Sequence, residues 1–252
     1  MMFKQTRLAA VLGLAIASPA FAAGTTFTNG DFAGGSLANW TTAGDVLVVG
    51  TNKVAALTTA SVLFEDDYPL PAGFNNNSGN AAVDFSLASD LAGISFASLD
   101  AAGGDFTYEG SAIRQDFFAT AGDTLTVSFD WTFLSADTSF ADFGFVAIND
   151  TVIKFVDAFS APAASQFNDT FGDFDDVTWG WASATYTYTA ASTGAVSLVL
   201  GVVDIGDYSG TSELRLDNIA VTAVPEPKDW MLMLAGLGLV GVMVGRSRRH
   251  SI

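Results

Sequence analysis

The 252-residue sequence contains no cysteine and one histidine, His250, close to its C-terminus. The missing cysteines exclude a disulfide framework, a cysteine nucleophile and a zinc site of Cys/His type. A Ser-His-Asp triad is not expected, because no histidine lies in the body of the chain. Basic residues are also few, 10 against 27 acidic ones, and the formal charge of −17 would repel phosphates. Nucleic acid is therefore not an expected partner.

The N-terminal residues 1–22 have the pattern of a secretory signal peptide. Lys4 and Arg7 form the positive region, and Leu8–Ala17 is an apolar run too short to span a bilayer. Ala20 and Ala22 occupy the small-residue positions of a cleavage site. An uncleaved N-terminal membrane anchor is the alternative.

The C-terminal residues 224–252 have three consecutive parts. Pro225, Glu226 and Pro227 come first, and the apolar, glycine-rich run from Trp230 to Val244 follows. The run has 15 residues, and as a helix it would extend roughly 22 Å. Flanking residues can help such a helix to cross a hydrocarbon core of roughly 30 Å. A basic group follows the run and would stay on the cytoplasmic side as a membrane stop; it consists of Arg246, Arg248 and Arg249.

This order of motif, apolar helix and arginines resembles the PEP-CTERM sorting signal of Gram-negative bacteria. The resemblance implies recognition by an exosortase in the inner membrane, which would release the tail and pass the protein to the cell surface or the extracellular matrix. Lys228 and Asp229 depart from the small polar residues that usually separate motif and helix. A plain C-terminal membrane anchor is the alternative.

The intervening chain is predicted to be one all-β domain, residues 23–223. Residues 24–224 hold four basic and 25 acidic residues, a formal charge of −21, and only three of the acids are glutamate. Alternation and turn signals favour a β-sandwich with a hairpin turn at Asn149-Asp150 and a bulge near Asn218. One short helix is expected around Leu87–Ala92. Strands are predicted at 45–49, 54–57, 61–64, 124–133, 143–147, 151–156, 179–188, 195–203 and 213–222.

Two short segments resemble jelly-roll, galactose-binding-like carbohydrate-binding modules. They are Asn29-Gly30-Asp31-Phe32 with Leu37-Ala38-Asn39-Trp40, and Leu216-Asp217-Asn218-Ile219. The resemblance implies a jelly roll whose first and last strands are adjacent, with a structural calcium ion beside them. Asp217 and Asp31 are the predicted calcium ligands. A second acidic cluster, Asp169, Asp173, Asp175 and Asp176, is either a calcium loop or a solvated loop.

Aromatic side chains are the second candidate feature, because rings stack on the apolar faces of sugars. Trp179 and Trp181 are the predicted ligand-binding pair, while Phe129, Trp131 and Phe133 alternate as core residues. Three further rings lie near turns, where they would be exposed or packed beneath loops; they are Trp40, Tyr68 and Tyr208.

The expected function is that of an exported protein of the cell surface or extracellular matrix, with a structural or adhesive role among polysaccharides. A calcium-dependent carbohydrate-binding module is the alternative. Enzyme activity is not expected, because no motif marks a catalytic acid among the many carboxylates.

Overall fold

The computed structural model describes residues 27–62, 73–160, 180–224 and 234–240. Two antiparallel sheets dominate these residues. The larger has the order β1-β7-β12-β9-β10, with β4 also paired to β7, and the smaller has the order β11-β8-β13-β3-β2. The strands are β1 Thr41–Ala43, β2 Asp45–Val49, β3 Val54–Thr58, β4 Val83–Asp84, β5 Asp90–Leu91, β6 Ile94–Ser95, β7 Thr107–Ala119, β8 Thr124–Ser135, β9 Phe143–Ile148, β10 Thr151–Asp157, β11 Ala182–Thr189, β12 Gly194–Ile205 and β13 Ser212–Val224.

Eight of these strands have the order of a jelly roll. One sheet contains β3-β13-β8-β11, and the other contains β7-β12-β9-β10, so successive strands mostly alternate between the sheets. The apolar faces of both sheets enclose the main core, which includes the predicted residues Phe129, Trp131 and Phe133. The β-sandwich prediction is therefore confirmed.

A second apolar cluster covers the outer face of the larger sheet. The helix α1, Phe96–Gly103, and the β5–β6 hairpin contribute Phe96, Leu99 and Leu91 to it. Residues of β9 and β12 complete this cluster, so both of these strands are buried on both faces. This explains why β12 has the nearly continuous apolar sequence expected of a central strand.

Three details of the predicted secondary structure need correction. The helix expected around Leu87–Ala92 is a turn followed by β5, and α1 begins later, after Ser95, whose hydroxyl accepts the Ser98 N–H as an N-cap. The long strand β7 was not predicted. It mixes Gly110, Arg114 and Asp116 with apolar residues, which obscures its alternation. Ser61 and Val62 lie outside any strand, and the rest of that predicted strand lies outside the described residues.

Other local predictions are confirmed. Asn149 and Asp150 form the turn between β9 and β10, where Thr151 pairs with Ile148. The register of β13 shifts between Asp217 and Ala220, and Asn218 has φ +51°, so the predicted bulge is present. At the C-terminus, residues 234–240 are helical. In the part of the chain that the structure describes, no helix has the length and hydropathy needed to cross a membrane.

The segment 27–40 is built against this bulge. The Ile219 N–H donates to the Gly30 carbonyl at 2.9 Å, and the Trp40 indole donates to the Asn29 carbonyl at 2.9 Å. The side-chain amide of Asn29 donates to the carbonyls of Ser36 and Ala38. As the resemblance implied, the start and the end of the domain are adjacent, since β3 also pairs with β13.

We predict that Gly30→Ala lowers the free energy of unfolding by about 1–3 kcal/mol, the usual range for overpacking. A Cβ atom at this position would collide with the Ile219 carbonyl oxygen. Gly34→Ala is the matched control, because the nearest atom to its Cβ would be Ser36 Oγ at 3.9 Å. Urea unfolding of both variants measures the effect; equal midpoints would contradict the prediction.

Candidate functional site

The predicted calcium ligand Asp31 lines a cleft, and the second predicted ligand, Asp217, directly precedes the bulge residues of this cleft. Residues 27–31 form one wall of the cleft, and residues 218–221 of the bulge form the other. Partial burial raises the pKa of Asp217, and the negative charges of Asp130 and Asp31 raise it further, while a hydrogen bond from the Asn218 N–H lowers it. The structure therefore brings together the two acids that the sequence singled out.

Hydrogen bonds occupy several of the carboxylate oxygens near this cleft. The two carboxylate oxygens of Asp130 accept hydrogen bonds from Ser183 Oγ at 2.5 Å and Asn218 Nδ2 at 2.9 Å. Asp217 accepts the Asn218 N–H at 2.7 Å, and Asp31 is exposed. Neutral donors thus already satisfy much of the local negative charge. Calcium at Asp217 and Asp31 stays a prediction.

Trp181 lies directly before β11 and its side chain is 44% exposed. Alternate residues of β11, beginning with Ser183, are exposed in the same way on the outer face of the smaller sheet. Several other predicted site residues lie outside the described residues: Trp179, Tyr68, the 169–176 cluster, Ala20, Ala22, Pro225, Glu226, Pro227, Arg246, Arg248 and Arg249.

A row of four carboxylic acids crosses one end of the larger sheet; we call it the acidic row. Asp84 of β4 is paired with Glu109 of β7, and Glu109 is paired with Asp204 of β12. Asp142 comes next, because it precedes Phe143, the partner of Val203. All four side chains are buried. Their positions in the strand alternation place them on the inner face of the sandwich, at the end of the apolar core.

Asp204 is unusual within the acidic row. It is 1% exposed, and neither of its carboxylate oxygens has a hydrogen-bond partner. Asp45 provides the contrast: it is also fully buried, but it accepts hydrogen bonds from Thr58 Oγ1 and the N–H groups of Asn77 and Ser78. Buried polar groups are normally paired in this way, so Asp204 requires an explanation.

The electrostatics of the acidic row follow from its burial. Burial raises the pKa of Asp204 far above its usual range, and the nearby charges of Asp142 and Glu109 raise it further. Burial also raises the pKa of Asp142, although hydrogen bonds from Ser212 Oγ and the Ile205 N–H partly offset this. Asp137, in the loop after β8, has its pKa raised in the same way. The region therefore disfavours accumulated negative charge.

Four aromatic rings lie at the same end of the larger sheet; we call them the aromatic cluster. The cluster consists of Phe85, Phe106, Tyr108 and Tyr208. Neighbouring ring centroids are 4.5–5.7 Å apart with edge-to-face geometry. Phe106 is 42% exposed, and the other rings are half-buried. The cluster thus presents a partly exposed apolar surface.

A β-bulge helps to form the aromatic cluster. Asp204 and Ile205 of β12 are paired with Glu109 and Thr107 of β7, so Tyr108 is the extra residue. The hydroxyl of Tyr208 donates to Asp84 Oδ2 at 3.3 Å and joins the rings to the acidic row. Partial burial and the charge of Asp84 raise the pKa of Tyr208 to about 12, so the hydroxyl stays a donor at neutral pH.

Of these residues, sequence reasoning identified only Tyr208 as a candidate. One feature of the sequence could have drawn attention to Asp204: this acid directly follows the apolar run 195–203. Glu109 is one of only three glutamates in the body. Their meaning depends on strand register, which one sequence does not reveal. Among residues 27–62, 73–160, 180–224 and 234–240, no three Asp, Glu, His or Cys side chains are already gathered as a metal site.

Comparisons with known proteins find structural likeness alone. No family model matches the chain, and no curated protein matches it. Among solved structures, a TmCBM61 complex with β-1,4-galactotriose matches at 12% identity and TM-score 0.35, over 79% of this chain and 99% of that one. A CBM4 structure matches at 12% identity and TM-score 0.35, over 75% of this chain and 97% of that one. The N-terminal cellulose-binding domain of Cellulomonas fimi β-1,4-glucanase C matches at 10% identity and TM-score 0.30, over 75% and 90%. At these TM-scores, the likeness carries no functional conclusion for this chain.

Proposed function

We propose that this protein is an exported surface or extracellular-matrix protein whose β-sandwich binds polysaccharide. The aromatic cluster is the observation that carries the proposal. Its rings offer apolar surface for a pyranose face, and the half-buried Tyr208 hydroxyl beside them, which Asp84 orients, supplies a hydrogen-bonding group. The resulting role is structural or adhesive in a polysaccharide-rich matrix.

Exposure and charge support binding at this end of the sandwich. Phe106 is 42% exposed although it contacts two other rings, so its ring is available without unfolding. A neutral sugar tolerates the strongly acidic body, whereas a phosphate-rich polymer would be repelled. Trp181 provides a second exposed ring on the smaller sheet, beside the hydroxyl-rich face of β11.

The proposal concerns binding and not catalysis. Asp142 and Asp204 of the acidic row have the raised pKa values that an acid catalyst often has. However, Asp142, Asp204 and Glu109 are at most 1% exposed, so their carboxylates do not face an open cleft.

Sorting is proposed from the sequence of the two ends. The signal peptide would direct export, and the C-terminal tail would hold the protein in the inner membrane until an exosortase processes it. Pro225, Glu226 and Pro227 would form the recognized motif, and Arg246, Arg248 and Arg249 would stop transfer.

We predict that Phe106→Ala weakens polysaccharide binding by about tenfold or more, equivalent to about 1.4 kcal/mol, through loss of stacking area. Trp181→Ala tests the second surface in the same assay. The full chain is titrated with a panel of soluble polysaccharides that includes the matrix polysaccharide of the producing cell. Phe118→Ala is the control, because Phe118 is a similarly exposed ring, at 49%, on β7. Wild-type affinity in both Phe106→Ala and Trp181→Ala would contradict the proposed binding surfaces.

We also predict that replacing Pro225, Glu226 and Pro227 with alanine keeps the protein membrane-bound and unprocessed. Cell fractionation and the size of the protein provide the readout in an exosortase-containing cell. Alanines at Lys228 and Asp229, the adjacent residues, are the matched control and should leave processing unchanged. Normal surface delivery of the motif variant would show that exosortase recognition does not use this motif.

A further inference from the structure

Asp142 and Asp204 of the acidic row lie next to each other on neighbouring strands. Like charges in such positions destabilise a sheet. Among the described residues, the salt bridges of Arg114, Lys154 and Arg215 join these side chains to Asp116, Asp157 and Glu213, so none of the three reaches Asp142 or Asp204. An uncompensated arrangement of this kind would oppose folding.

Unpartnered oxygen atoms point to a ligand at this position. Both carboxylate oxygens of Asp204 are buried without a hydrogen-bond partner, and Asp204 is 1% exposed. Asp137 Oδ2 is also buried without a hydrogen-bond partner. These three atoms are carboxylate oxygens, whereas Asp45 shows that this fold can supply donors to a buried carboxylate.

The opposite sheet contributes further oxygen atoms. Ser212 Oγ lies 2.7 Å from Asp142 Oδ2 and 2.8 Å from Ser135 Oγ, and both serines belong to the smaller sheet. Carboxylate, hydroxyl and carbonyl oxygens without nitrogen or sulfur ligands are the set that calcium prefers. Its six to eight ligands can include water, so the protein need not supply them all.

We propose that a calcium ion binds at the acidic row, with Asp204 as the central ligand, Asp142 and Glu109 beside it, and Asp137 reaching it from the β8–β9 loop. Binding requires small side-chain rotations, because these carboxylates are not already gathered in a metal-binding arrangement. A divalent cation would draw the carboxylates together and favour their ionised forms. This site is distinct from the predicted one at Asp31 and Asp217, and it does not depend on polysaccharide binding.

Calcium titration of the full chain tests the proposal. The protein is first treated with EGTA, and calcium binding is then followed by calorimetry and by the melting temperature. At calcium about 100-fold above the measured Kd, we expect the wild-type melting temperature to rise by about 5–10 °C. Asp204→Asn should abolish this rise and weaken the calcium affinity at least tenfold. Asp217→Asn is the matched control, since it removes one charge on β13 and should retain the response.

Folding of the variants is checked in EGTA. Asp204→Asn should be at least as stable as the wild type there, because asparagine has nearly the same size and cannot ionise at this buried position. Asp137→Asn is the second variant, since an asparagine can still accept the Ser139 and Phe140 N–H groups that Asp137 Oδ1 accepts now. It should also lower the calcium affinity at least tenfold.

Three results would overturn the proposal. The first is a wild-type chain that neither binds nor is stabilised by calcium. The second is wild-type calcium affinity in folded Asp204→Asn and Asp137→Asn. The third is loss of the response in Asp217→Asn alone, which would place the ion at the cleft with Asp31. Polysaccharide binding by Phe106→Ala is a separate readout, so failure of one proposal leaves the other testable.

Discussion

The pairing of β7 with β12 is the constraint on which the rest of this structure depends. It runs from Ala119 opposite Gly194 to Thr107 opposite Ile205. These two strands lie side by side inside the larger sheet, with the main core on one face and the cluster beneath α1 on the other. Because a shift of one residue would exchange the two faces, this register fixes which side chains fill each core. It also sets Glu109 opposite Asp204.

At one end of this strand pair, the residues on the inner face of the sheet change from apolar to acidic. Along most of β12 the residues facing the smaller sheet are apolar, from Val196 to Val202, and the next one is Asp204. The bulge at the same point adds Tyr108 to β7, on the opposite face of the sheet. The acidic row and the aromatic cluster therefore lie on opposite faces of the same end of the larger sheet. The hydroxyl of Tyr208 connects them through Asp84.

The segments that resemble carbohydrate-binding modules have a structural explanation. Asn29 closes the loop through the carbonyls of Ser36 and Ala38, Gly30 leaves room for the Ile219 carbonyl, and Phe32 and Trp40 enter the main core. These residues join the beginning of the domain to its last strand. They support the fold, whereas the partly exposed rings that can meet a ligand belong to other elements.

The sequence by itself determined the all-β character, the strands β8, β9, β10, β12 and β13, and the bulge at Asn218. It also determined the pattern of the two terminal segments, in which basic residues lie beside an apolar run. These features depend on local alternation, turn residues and charge order, which a single chain displays directly. The strand β7, the acidic row and the aromatic cluster were decided by the tertiary structure alone. Asp84, Glu109, Asp142 and Asp204 are far apart in sequence and become neighbours through strand register, and register depends on which apolar faces can be buried together.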